Sequence, residues 1–493
     1  MPEGDNSQQE QQPRHQVVVI GGGPGGYATA LYGASAGLDV ALIERGKLGG
    51  TCLHVGCIPA KELLETAAVF RHVRDAGVFG VLTGLDGAAP GLDWSVTMAR
   101  KQKIIDQLCN GLGSLLKGRK VTVYNGVGAL QPDGTVTVTG PDGALLQVAA
   151  DHVVLAAGSV PRTLPGFEID GRLVVTSDEL LAIERLPASA VVIGGGAIGC
   201  EFASMMSDLG TEVTVLEAMD KILPGCDRDV ADVVGRSFKR RGITIRTGVP
   251  VTGHTPDPGT TAAGTTAAGT TPAGTTVHFG DGESERVELV VVSVGRRPFA
   301  DQLGLERTGV VLDERGYVKV DALGRTTVSG VYAVGDLIAT PQLAHVAFAE
   351  GMNVVRDILG ESPLPVDYDR IPWAIYCHPE VAFAGLSEEQ AKAGGFDVVT
   401  SKHRHAGNGR AMIIGESEGL VKVIAERRPD GTGGRILGVH MVGPWATEQL
   451  GQGYLAVNWE ATVEEVAHFI QPHPTISELF GESMMSLTGR SLH

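Results

Sequence analysis

A chain of 493 residues has room for roughly three domains at about 150 residues each, and 69 glycines against 12 Phe, 8 Tyr and 4 Trp favour glycine-rich nucleotide-binding turns over an aromatic-rich β-sandwich. With 57 acidic and 40 basic residues the formal net charge is -17, which argues against the clustered Lys and Arg that nucleic acid and anionic membranes require. No apolar run approaches the ~20 residues needed to span a bilayer.

The first segment, Met1 to Gln16, is Gln-rich and lacks the basic and apolar regions of a secretory signal. It reads as a disordered tail, and a cytoplasmic location follows. Six cysteines are too few for a disulfide framework in a chain of this length, so a close pair points to catalysis or metal binding.

Val17 to Ile20 is a short β-branched run that breaks into Gly21-x-Gly23-x-x-Gly26, after which Ala and Leu recur at helical spacing. In such a strand-turn-helix the first glycine permits the tight turn, the second lets backbone approach a pyrophosphate, and the third allows close helix packing. The next strand, Val40 to Ile43, ends at Glu44, whose carboxylate can accept hydrogen bonds from ribose hydroxyls. The unit returns at Val191 to Ile193 with Gly194, Gly196 and Gly199, followed by Val213 to Leu216 and Glu217. A carboxylate at Glu217 suits an unmodified ribose and repels a 2'-phosphate, so NAD is favoured over NADP; a solvated strand-end glutamate is the plainer alternative.

Between the repeats, Cys52 and Cys57 are separated by four residues, and Pro59 with the helical pattern after it places Cys57 at a helix N-terminus, where the dipole favours a thiolate. A zinc site would want a second Cys or His pair that His54 alone does not supply, so no metal is expected. Residues 260 to 274 repeat Thr-Thr-Ala-Ala-Gly and then give Thr-Thr-Pro-Ala-Gly, reading as a low-complexity surface loop within 255–276. From about Ile371 short apolar strands alternate with helical stretches, as in a separate α+β domain. Near the C-terminus, His473 followed five residues later by Glu478 offers a general base whose ring a carboxylate could orient, although a surface histidine beside an unrelated glutamate fits the pair taken alone.

The stretch from Gly49 to Lys61 resembles the redox-active segment of the pyridine nucleotide-disulfide oxidoreductases, most closely the members that oxidise dihydrolipoyl groups. Nearly the whole chain shares the resemblance. Ala156 to Arg162 is similar to the family's crossover out of the FAD domain, with Ala157 where Thr is usual, and Ser293 to Pro298 to the return crossover. Gly330 to Asp336 is similar to the second FAD motif, whose aspartate holds the ribityl chain, and Leu343 to Ala347 to the segment beside the flavin ring. The resemblance implies an α/β fold with two Rossmann-like domains, for FAD and NAD, and a C-terminal α+β dimerisation domain. The divisions are a tail at 1–16, FAD-binding parts at 17–160 and 291–360, an NAD-binding part at 161–290 and an interface part at 361–493.

Beyond the six fingerprint glycines, Glu44 and Glu217, the resemblance implies that Thr51, Lys61, Gly158, Asp336, Ala344 and Gly295 contact FAD or NAD. It further implies a Lys61–Glu201 ion pair beside the flavin, and a homodimer in which His473 and Glu478 serve the other subunit's cysteines. The partner would be a lipoyl-bearing acyltransferase or lipoyl carrier protein. A reductase of a low-molecular-weight disulfide is the nearest alternative, though NADPH-using ones usually carry basic residues where Glu217 stands. The tail Ser486 to His493 lacks the terminal cysteine pair of mercuric reductase, a soluble transhydrogenase would not keep both Cys52 and Cys57, and these with His473 argue against a non-catalytic flavoprotein scaffold.

Overall fold

The computed structural model describes residues 12–84, 90–258 and 274–492. The chain divides into two compact units.

The first unit comprises residues up to Pro59, Gln102–Val160 and Arg296–Val366. Its central strand, Arg14–Ile20, lies parallel between Val40–Glu44 and Leu145–Leu155, with Thr122–Asn125 and Val331–Ala333 outside them. Side chains alternate across this sheet: Val17 and Val19 pack with Leu42 and Val154, whereas Val18 and Ile20 pack with Ala41, Ile43, Val153 and Leu155. A parallel sheet covered on both faces needs apolar residues at every position, and all of these are nearly inaccessible to solvent. Each of the Val, Leu and Ile side chains among them contributes about 1.5–3 kcal/mol by leaving water. Helices Pro24–Ser35 and Ala344–Ile358 pack so closely that a Cβ on Gly351 would lie 2.4 Å from Thr29 Oγ1.

The central strand begins at Arg14, so the last three residues of the expected tail are sheet. Arg14 and His15 pair with Ala149 and Ala150, and the buried His15 ring reaches Asp39 and Tyr124. Residues 1–11 lie outside the described residues.

The second unit comprises Ala60–Lys101, Pro161–Gly295 and Asp367 onward. One sheet repeats the first unit's plan, with parallel strands in the spatial order Thr244–Thr247, Glu212–Glu217, Ser189–Ile193, Leu289–Val292 and Val174–Val175. A five-stranded antiparallel sheet, Trp373–Ile375, Val381–Gly385, Gly433–Val442, Leu420–Arg427 and Val398–Arg404, is covered by helices Ala446–Asn458 and Glu478–Leu487. In sequence the Thr/Ala/Gly-rich stretch falls between the antiparallel strands Val251–Pro256 and Thr275–Phe279, which pair Pro256 with Thr275. The ends of the expected 255–276 segment are thus strand, and residues 259–273 lie outside the described residues. Among the described residues no helix is long and apolar enough to cross a membrane.

Candidate active site

The two fingerprint turns have matching geometry. Gly21 and Gly194 take φ of 109° and 103°, and a Cβ there would lie 2.3 Å from Ala156 O and 2.4 Å from Ser293 O respectively. Gly26 and Gly199 are closed by packing, since their Cβ would fall 1.7 and 1.9 Å from the carbonyl oxygens of Gly21 and Gly194. At Gly196 an added Cβ would meet nothing within 4 Å, and at Gly23 only Gly50 Cα at 4.0 Å. Both second glycines are extended caps of the following helices, with open space where a pyrophosphate would approach the helix N-terminus.

Each repeat also fixes its strand-end carboxylate. Glu44 Oε2 accepts from Gly22 N and Oε1 from Gly46 N, both at 2.7 Å. Glu217 Oε2 accepts from Gly195 N at 2.6 Å and Oε1 from Met219 N at 2.7 Å. Carboxylates so held keep lone pairs for ribose hydroxyls, and the arrangement fits a dinucleotide at each turn.

The cysteine loop lies against the first turn. Gly49 N donates to Gly22 O at 2.8 Å, and a Cβ on Gly50 would come within 2.7 Å of Gly23 Cα. Thr51 and the half-buried Cys52 lie on the short helix Gly50–His54, while the exposed Cys57 is the first residue of helix Cys57–Asp75. Two features here were not anticipated from sequence. Burial pushes the Tyr27 phenol up to about 12, with the Cys52 and Cys57 sulfurs adding to the shift. His54 Nε2 lies 2.9 Å from Leu48 O and 3.3 Å from Cys109 Sγ, tying the loop to helix Trp94–Gly118.

Elsewhere in the first unit, Ser159 donates to Asp336 Oδ2 at 2.5 Å, and Arg296 Nε donates to Ser159 Oγ at 2.7 Å. Burial raises the Asp336 carboxyl above the usual range, against the pull of Ser159 and Arg296. Gly158 immediately precedes Ser159, and Ala344 opens helix Ala344–Ile358. In the second unit Gly295 O accepts from Arg162 N at 3.0 Å, joining the two crossovers.

Also in the second unit, Lys61 Nζ meets Glu201 Oε2 at 2.8 Å and sits 4.9 Å from the centre of the Tyr376 ring. Glu201 Oε1 accepts a further bond from Tyr376 N at 2.8 Å. His473 Nδ1 lies 2.8 Å from Glu478 Oε1, and the His473 side chain is 80% exposed. Glu478 is the first residue of helix Glu478–Leu487 and its Oε2 accepts from Thr475 N at 2.8 Å. No group of three or more His, Cys, Asp and Glu among the described residues is arranged to hold a metal ion.

Residues 15–351 match the pyridine nucleotide-disulphide oxidoreductase family, and residues 371–484 match that family's dimerisation domain. A dihydrolipoyl dehydrogenase of Bacillus subtilis (strain 168) is 41% identical over 97% of this chain and 99% of its own length. Leghemoglobin reductase of Glycine max is 37% identical over 96% of this chain and 87% of its own. Among solved structures, LpdA of Mycobacterium tuberculosis superposes with a TM-score of 0.86 at 28% identity, over 96% of this chain and 99% of the other.

Proposed function

The chain belongs to the pyridine nucleotide-disulphide oxidoreductases, and on that premise we propose that it is the dihydrolipoyl dehydrogenase of a 2-oxo acid dehydrogenase or glycine cleavage complex, working in the cytoplasm as a homodimer. Its substrate is a dihydrolipoyl group on an acyltransferase or lipoyl carrier protein. The observation that carries this reading is the likeness to a dihydrolipoyl dehydrogenase over 97% of the chain. The FAD-binding parts 17–160 and 291–360, the NAD-binding part 161–290 and the interface part 361–493 divide the work.

The thiol chemistry falls to this chain's own residues. The partner subunit's His473, its ring oriented by a carboxylate, takes the proton from one dihydrolipoyl thiol. The resulting thiolate attacks Cys52 Sγ of a Cys52–Cys57 disulfide, and Cys57 leaves as a thiolate. The second substrate thiol displaces Cys52, so the substrate leaves as a disulfide, having lost two electrons and two protons, and the cysteine pair is reduced. FAD, when bound, supplies the two-electron relay between this pair and NAD. Gly21, Gly23, Gly26, Glu44, Thr51, Lys61, Gly158, Asp336 and Ala344 would hold FAD, and Gly194, Gly196, Gly199, Glu217 and Gly295 would hold NAD.

The 80% exposure of His473 suits a base that completes another subunit's site. Large apolar side chains also stand exposed nearby in sequence, among them Trp459, Phe469 and Ile470. Such residues on the part that matches a dimerisation domain support burial against a second copy. Steady-state assay with dihydrolipoamide and NAD, beside glutathione disulfide with NADPH, tests the reading. Turnover confined to the first pair is the expected result, and turnover confined to the second would make the protein a reductase of low-molecular-weight disulfides.

A further inference from the structure

We infer that Asn408 is a positioning residue for the His473–Glu478 pair, an inference that rests on His473 being the base of the dithiol half-reaction. Within its own chain His473 is 80% exposed, so packing inside that chain does little to orient its ring. Its orientation depends on Glu478 Oε1 at 2.8 Å. Glu478 is itself tied through Oε2 to Thr475 N, and Thr475 Oγ1 donates to Pro472 O at 2.7 Å, closing the loop on itself. From outside the loop, Asn408 Nδ2 donates to Thr475 O at 3.0 Å. Thr475 is thus held at both of its main-chain groups, with its amide bonded to Glu478 and its carbonyl to Asn408.

Asn408 is suited to this because it is itself fixed. It is only 7% exposed, its backbone N donates to His405 O at 2.8 Å, and its Oδ1 accepts from Ala411 N at 3.0 Å, capping the short helix Gly409–Ile413. The side chain must accept with one atom and donate with the other across a span of 67 residues, which a short amide does and a carboxylate or hydroxyl at the same place does not. A general base works only within a narrow geometry, and a displacement on the order of 1 Å is enough to cost about 100-fold in rate.

The capping and positioning roles separate in Asn408→Asp, which keeps the acceptor for Ala411 N and loses the donor to Thr475 O. On the flavin-loaded dimer, Asn408→Asp and Asn408→Ala should each slow reduction by dihydrolipoamide by roughly 10- to 100-fold in stopped flow. NADH-driven reduction of ferricyanide and flavin content should stay at wild-type levels. A general loss of structure would lower all three together. His473→Gln, measured beside them, tests the underlying reading. If His473→Gln is slow while Asn408→Asp keeps the wild-type dithiol rate, Asn408 is a helix cap and the inference is overturned. If His473→Gln itself keeps the wild-type rate, the base has been assigned wrongly and the inference falls with it. Should Asn408→Ala fail to fold, Asn408→Asp still decides the matter.

Discussion

Lys61 donates to both carboxylate oxygens of Glu201, at 2.9 Å to Oε1 and 2.8 Å to Oε2, joining two helices whose paired residues lie 140 positions apart. Glu201→Gln keeps an acceptor for Tyr376 N but removes the negative charge that the Lys61 cation, about one-third exposed, faces. Exposure of the ammonium moderates the loss, so the cost should be about 1–2 kcal/mol. A urea midpoint below wild type at constant m-value would show it. In a double-mutant cycle with Lys61→Met, zero coupling would mean that the pair adds nothing net to stability.

His473→Gln should slow the dithiol half-reaction by roughly 10²- to 10⁴-fold, the usual range for general acid-base catalysis, while flavin reduction by NADH survives. Mixing inactive Cys52→Ser and His473→Gln subunits should restore about a quarter to a half of the activity through hybrid dimers with one intact site. Properly exchanged hybrids that recover nothing would place base and thiols in the same chain's site.

Glu217 should make NAD preferred over NADP by roughly 100-fold or more, since a phosphate placed within about 4 Å of a fixed carboxylate meets several kcal/mol of repulsion. Glu217→Ala should narrow that preference and weaken NAD binding at the same time, because Gly195 N and Met219 N lose their acceptor. Catalytic efficiency measured with both nucleotides decides the point, and equal values for the wild type would refute it.

Lys422 is 2% exposed and its Nζ meets Asp227, Asp229 and Glu388 at 2.9, 2.6 and 2.7 Å. Burial works against its charge, but the hydrogen bonds it donates to these carboxylates outweigh it and raise the ammonium pKa. Lys422→Met strands the equally buried Asp227 and should cost about 3–5 kcal/mol, read as a fall in thermal midpoint. The Asp229 carboxyl is lowered although burial opposes it, through hydrogen bonds from Lys402 and Lys422, and Glu388 is lowered by Lys392 and then Lys422. Groups lowered in the folded state stabilise it above their unfolded values near pH 4, and that stability is lost as pH falls through the folded values. The raised ammonium contributes at every pH below about 10 and is lost only above it. Wild-type stability from this cluster should therefore be flat between about pH 6 and 9 and fall on acidification. The acid-side slope should be shallower in Lys422→Met.

The fingerprint glycines were legible because each requirement, a turn, an approach and a close packing, acts on residues within a few positions of one another. Glu44 and Glu217 were legible for the same reason, as strand ends at a fixed distance from those turns. The start of the first strand was not. Arg14, His15 and Gln16 are polar and read as tail, yet His15 is buried through bonds to Asp39 and Tyr124 that exist only once the sheet has formed. The Lys61–Glu201 pair could be anticipated only through family resemblance, since nothing local in either segment points to the other. The bond from Tyr376 N to Glu201 left no trace in the sequence at all, because every residue but proline carries the same backbone donor. Tyr27 and Asn408 were missed as ordinary members of a helix and a loop, and their partners are long-range or main-chain atoms.

The two fingerprint turns imply two kinds of null allele. An alanine at position 26 or 199 would drive its methyl into a carbonyl oxygen, at 1.7 or 1.9 Å, and such alleles should yield no folded protein for a purification to find. An alanine at position 23 or 196 meets no such obstacle, and the extended backbone there suits any residue. Those alleles should accumulate as soluble, correctly folded protein from which one nucleotide is missing. Flavin would be lost when the lesion is at 23, leaving a colourless protein, whereas a lesion at 196 would leave a yellow protein that no longer accepts the pyridine nucleotide.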